Sequence, residues 1–101
     1  MGAVLSGEVA EELEKIFGEP VEKAVLKALK NELRRKLSEY RLIDKKMRKK
    51  YGMSFEEFKA KRIVEKEGYS FEVESDYCDW ELAIDGIKSL REKLEKLEKL
   101  K

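Results

Sequence analysis

Two groups of side chains in this sequence have the types and spacing to do chemistry or to hold a charged partner. The first runs from residue 69 to residue 85, where Glu72, Glu74, Asp76, Asp79, Glu81 and Asp85 interleave with Tyr69, Phe71, Tyr77, Cys78 and Trp80. Clustered carboxylates can hold Mg²⁺ or Ca²⁺, but Asp76, Asp79 and Asp85 lack the ligand spacing and loop glycine of an EF-hand. Cys78 is the only cysteine and there is no histidine. A thiolate at Cys78 therefore lacks its usual base, and a zinc site of cysteines and histidines cannot be assembled. The usual general base at neutral pH is missing as well. The six glycines are scattered as helix stops rather than gathered into a phosphate-cradling loop. These residues point away from an enzyme, with no catalytic residues, no cofactor and no metal, and Cys78 reads as a buried small hydrophobe.

What the acidic-aromatic run can do is dock a partner. Tyr69, Phe71, Tyr77 and Trp80 would supply anchors, and Glu72, Glu74 and Asp76 would match a positive groove and speed association. The alternative is a surface segment whose aromatics reach back into the core. The second group is basic: Arg34, Arg35, Lys36, Lys45, Lys46, Arg48, Lys49 and Lys50, continued by Lys59, Lys61 and Arg62. It could track nucleic-acid phosphates, with Arg34, Arg35, Lys45, Lys46, Arg48, Lys49 and Lys50 as the candidate contacts. The alternative is a solvated helix face, and neither a helix-turn-helix nor an aromatic RNA platform accompanies it.

The charge is segregated along the chain although its total is only +1. Residues 1–19 carry one Lys and five Glu, residues 20–62 carry 15 Lys or Arg against six acids, and residues 63–86 carry one Lys against eight acids. Residues 87–101 are basic again, with six cations and three acids. Charged residues make up 45% of the 101 residues, against a usual quarter, and Gln is absent. That bias is typical of proteins from hot environments. The single thiol, the lack of an apolar run long enough to span a bilayer and the acidic N-terminal stretch predict a cytoplasmic protein with no membrane segment.

The elements that must position these groups are mostly helices. Residues 1–18 hold a short first helix, with Val9, Leu13, Ile16 and Phe17 at spacings of three and four and Gly18 as its stop. Pro20 suits the start of the next helix, which runs over 20–51 on the stripe Val21, Val25, Leu29, Leu33, Leu37, Tyr40, Ile43, Met47 and Tyr51. A helix of roughly 30 residues is about 45 Å long. That length needs another long helix or a second chain to cover it. Ser54-Phe55-Glu56-Glu57 is a capping box that opens a third helix over 54–67. Tyr69, Phe71 and Val73 alternate with polar residues and predict an extended segment or short strand over 69–75. Such a strand needs a partner strand. Asp76 would then cap a C-terminal helix over 76–100, with Trp80, Ala83, Ile87, Leu90, Leu94 and Leu97 as a coiled-coil-like seam.

The residues Tyr51-Gly52-Met53-Ser54-Phe55-Glu56-Glu57-Phe58, then Glu74 to Trp80, then the terminal leucine repeat resemble small uncharacterised archaeal and bacterial proteins. Some of these are encoded beside a small toxin and are regarded as antitoxins. The resemblance covers residues 51–100 and implies a non-enzymatic protein-interaction module that neutralises a small basic toxin. The expected fold is a single all-α domain over 1–101, a hairpin of long antiparallel helices. The expected assembly is a homodimer whose seam is Leu33, Leu37, Tyr40, Ile43, Leu90, Leu94 and Leu97. A nucleic-acid-binding helical dimer and a structural coiled-coil subunit are the alternatives.

Overall fold

The computed structural model of the chain describes residues 6–100. The expectations that touch residues 1–5 and residue 101 lie outside the described residues. The elements are α1 (Gly7–Phe17), α2 (Val21–Tyr51), α3 (Phe55–Ala60), α4 (Ile63–Lys66) and α5 (Phe71–Glu98), with no strand among the described residues. The all-α hairpin expected from the long apolar stripes is the architecture found.

Local chemistry sets most of the boundaries. The Ser6 hydroxyl accepts from the Val9 N–H at 3.2 Å and starts α1. Pro20 is the N-cap of α2 and supplies a fixed φ of −55°. α2 ends on the basic turn Arg48, Lys49 and Lys50, which complements the negative end of the helix dipole. Gly52 then turns left-handed at φ 66°, and its N–H returns to the Arg48 carbonyl at 2.7 Å. The capping box at Ser54 and Glu57 forms in both directions and starts α3.

Two expectations fail in the segment that follows, each for a reason of periodicity. The helix expected over 54–67 breaks at Arg62, which is left-handed at φ 51°. On one continuous helix Ile63 and Val64 would be rotated by about 140° and 240° from Phe58, away from the core on either flank. The break lets both pack against the same cluster as Phe55 and Phe58. The strand expected over 69–75 is absent, and Asp76 is not a cap. α5 begins at Phe71, with the Ser70 hydroxyl accepting from the Val73 N–H at 3.3 Å. Val73, Tyr77 and Trp80 extend the seam of the C-terminal helix upstream at helical spacing, so the 3.6-residue period outweighs the short alternation. Val73 is buried and Phe71 is not.

α5 lies antiparallel along α2, and paired residues mark the register. Lys50 meets Asp76, the Trp80 indole N–H donates to Asp44 at 2.8 Å, and Arg34 donates to Glu98 at 2.8 Å. Between these the Tyr40 ring lies against Gly86, where an added Cβ would sit 2.6 Å from Tyr40 Cε2. Gly86 is thus a point of close approach inside α5, and Gly7 lies at the start of α1. Neither is the helix stop its residue type suggested. Leu37 and Leu90 are buried within the one chain, and Leu33, Tyr40, Ile43, Leu94 and Leu97 are half-buried. The hairpin covers much of that stripe without a second copy. The start of α2 is covered by α1, which helps to bury Ala24. The result is a rod of 60 × 25 × 25 Å.

Candidate interaction groove

The wider end of the rod is organised by aromatic rings. Trp80 and Phe58 have no exposed surface, and they pack with Phe55, Met47 and Val73 in one buried cluster. The Trp80 ring centroid lies 5.2 Å from Phe58, 5.3 Å from Phe55 and 6.0 Å from Tyr51, spacings at which aromatic pairs attract. Trp80 therefore supports the core, and its expected role as an exposed docking anchor is corrected by its burial.

Beside this cluster α3, α4 and α5 enclose an open groove of about 580 Å³. Its inner wall is apolar: Phe58, Ile63, Val64 and the ring of Tyr77. Its rim carries Lys59, Arg62, Glu65 and Glu74, with Tyr69 and Cys78 completing the lining. Cys78 is exposed, against its expected burial, because it lies two residues, about 200° of helix, from the buried Trp80 and so falls on the groove side of α5. Arg62 pairs with Glu65 at 3.7 Å, and the Tyr77 hydroxyl donates to Glu81 at 3.4 Å. Two non-glycine residues on this wall are left-handed, Arg62 and Tyr69, the latter at φ 57°. Each such residue costs about 1–2 kcal/mol. The Tyr69 N–H, donating to the Val64 carbonyl at 2.9 Å, helps to hold that turn. Strained backbone of this kind concentrates at recognition sites.

The other candidate residues divide by helix face. Tyr69, in the lining of the groove, remains 59% exposed, and Phe71, the first residue of α5, remains 87% exposed. Glu72 and Asp76 face α2 instead, where the Lys50 ammonium donates to Glu72 at 2.7 Å and to Asp76 at 2.6 Å. The Tyr51 hydroxyl donates to the same Asp76 oxygen. In the basic stretch, Arg34 pairs with Glu98, Arg35 with Glu32 and Glu39, and Arg48 with Asp44. Lys45, Lys46 and Lys49 are exposed and form no ion pair among the described residues. More than half of the candidate phosphate contacts are thus neutralised by the chain itself. Ile63 and Val64 are groove residues that the sequence does not reveal, because only the break at Arg62 turns them toward α5, and Lys59 and Arg62 join the rim on either side of the α3 end.

The Lys50–Tyr51–Asp76 cluster sets how stability depends on pH. Burial acts to raise the Asp76 carboxyl, but hydrogen bonds from Lys50 and Tyr51 outweigh it and hold the group below its ordinary value. Burial, then the hydrogen bond to Asp76, pushes the Tyr51 phenol up to about 12. Asp76 and then Glu72 raise the Lys50 ammonium. The lowered Asp76 stabilises the fold above its unfolded value of about 3.9, and this is lost as pH falls through the folded value. The raised Tyr51 and Lys50 stabilise it below about pH 10, and this is lost as pH rises through their folded values. With no histidine to titrate, the melting temperature is expected to be level between about pH 5 and 9 and to fall on both sides. Asp76→Asn should lower it by about 5 °C at pH 7, the effect of losing ~1 kcal/mol of charged hydrogen bonding, and make the acid limb shallower. Thermal melts followed by circular dichroism across pH check both statements.

No group of three or more Cys, Asp or Glu side chains among the described residues is arranged to hold a metal ion. No helix among them is long and apolar enough to cross a membrane. Comparison with curated proteins and with solved structures gives no match. A family model does match, over residues 4–101, and its description names no activity and no partner. The chain accordingly belongs to the uncharacterized protein MJ0235 family.

Proposed function

We propose that this protein is a non-enzymatic protein-interaction module that receives a partner's basic, apolar-flanked segment in the groove between α3, α4 and α5. The observation that carries the reading is an apolar groove lined in part by the exposed ring of Tyr69, two residues before the exposed Phe71 that opens the acidic half of α5. Large apolar side chains left in water beside a concave apolar wall favour association. With Arg62 on the rim paired to Glu65, Glu74 and, two turns further along α5, Glu81 outnumber the remaining rim cation Lys59 and would steer a cationic partner. The anchors are Tyr69, Phe71 and Tyr77, without Trp80. Neutralisation of a small basic toxin is the specific form of this reading. Ion pairing of Arg34, Arg35, Arg48 and Lys50 within the chain makes nucleic acid the weaker alternative.

The protein encoded by the adjacent gene is the probe, titrated by calorimetry. Binding at micromolar concentration or tighter is expected. Tyr69→Ala with Phe71→Ala should weaken it at least about tenfold, the loss of one to two interface anchors. Helical content should stay as in the wild type, because both side chains stand outside the core. Absence of binding at micromolar concentration would remove the toxin-neutralising form of the reading.

A further inference from the structure

Away from the groove, the outer face of each long helix carries one stranded leucine beside a pair of like charges, basic on α2 and acidic on α5. On α2, Leu42 is 67% exposed. It is followed at helical spacings of three and four by Lys45 and Lys46, both exposed and in no ion pair among the described residues. On α5, Leu82 is 60% exposed. Asp79 and Asp85 lie three residues to either side of it, again exposed and in no ion pair among the described residues. Residues three and four apart share a face of a helix, so Leu82 sits between carboxylates, and Leu42 sits beside two unpaired lysines, the Glu39 carboxylate three residues before it being taken up by Arg35.

Both patches point away from the interface inside the hairpin. Leu42 stands off the buried line of Leu37 and Met47, and Leu82 stands off that of Trp80 and Ala83. They cannot meet within one chain. We infer that the second copy of this chain is the partner they fit: the Leu42 face of one molecule packs on the Leu82 face of another. The leucines supply the apolar contact, and the lysines meet the aspartates. The contact joins unlike surfaces, so each copy keeps one of each to offer onward. Neither patch belongs to the groove assigned above to a different partner, and the two readings stand or fall separately.

Sedimentation equilibrium tests this with the full chain. At low salt the weight-average mass is expected to rise above the 11.9 kDa of one chain as concentration increases. Near 1 M salt, where charges are screened beyond about 3 Å, it should return to that value. Lys45→Glu with Lys46→Glu should weaken association at least about tenfold, and so should Asp79→Lys with Asp85→Lys. Mixing the two reversed proteins should restore it, because each then offers what the other lacks. A chain that stays monomeric at low salt overturns the proposal. So does an assembly indifferent to both reversals, or reversed proteins that fail to associate when mixed. All four positions are exposed, and circular dichroism will show that the variants remain folded.

Discussion

Trp80→Ala is expected to lower the free energy of unfolding by about 3–5 kcal/mol, the usual cost of deleting a buried large aromatic. The side chain is wholly enclosed, and it is where rings from three elements converge: Tyr51 at the end of α2, Phe55 and Phe58 on α3, and Trp80 itself on α5. Its removal leaves those rings facing a void that rigid helices cannot close. It also deletes the indole N–H donated to Asp44, although Arg48 continues to pair with that carboxylate. A chain of this length has roughly 5–15 kcal/mol of stability in all, so the loss is a large part of it. Urea titration followed by circular dichroism measures it. Trp80→Phe separates the two contributions, since it keeps most of the packing and loses the hydrogen bond, and should cost about half as much or less. An alanine variant within 1 kcal/mol of the wild type would show that the cluster does not hold α3 to the hairpin.

Gly86→Leu should cost about 2–3 kcal/mol, a typical overpacking penalty. Glycine inside a helix is ordinarily a weakness of about 1 kcal/mol relative to alanine. Here it makes room, because the first carbon of any side chain would meet the Tyr40 ring at 2.6 and 2.7 Å. Tyr40 is only half-buried and its ring can swing outward, so Gly86→Ala should be mild, with better helix propensity offsetting the displacement. A leucine fills the space the ring occupies and forces either the ring or α5 to move. The double variant Gly86→Leu with Tyr40→Ala should recover at least about 1 kcal/mol relative to the sum of the singles, which is the coupling expected of residues in contact. Purely additive effects would place the two side chains apart and contradict the register of the hairpin.

Much of this architecture was written in local patterns. The nine apolar residues from Val21 to Tyr51 recur at spacings that only a helix brings to one face. The Ser54 capping box and the turn at Gly52 act through their immediate neighbours, and both form as read. The errors fall where a short pattern competed with a longer one. Tyr69, Phe71 and Val73 alternate over too few residues to outweigh the seven-residue repeat that begins at Val73. The candidate site was legible in part for the same reason. Of the acidic-aromatic run, Tyr69, Glu74 and Tyr77 line the groove, but Trp80 and Asp76 share that composition and face inward.

The sequence alone determined that the chain would be helical, where its main helices run and how its charge is divided between them, because propensity, capping and periodicity act within a few residues. Tertiary structure decided which aromatics are buried, that Arg62 must turn left-handed to aim Ile63 and Val64, and that Lys50 finds Asp76 across the hairpin. These depend on the approach of segments distant in the chain. Tyr40 and Gly86 meet only once α5 has folded back along α2, and nothing near either residue in the sequence records the other.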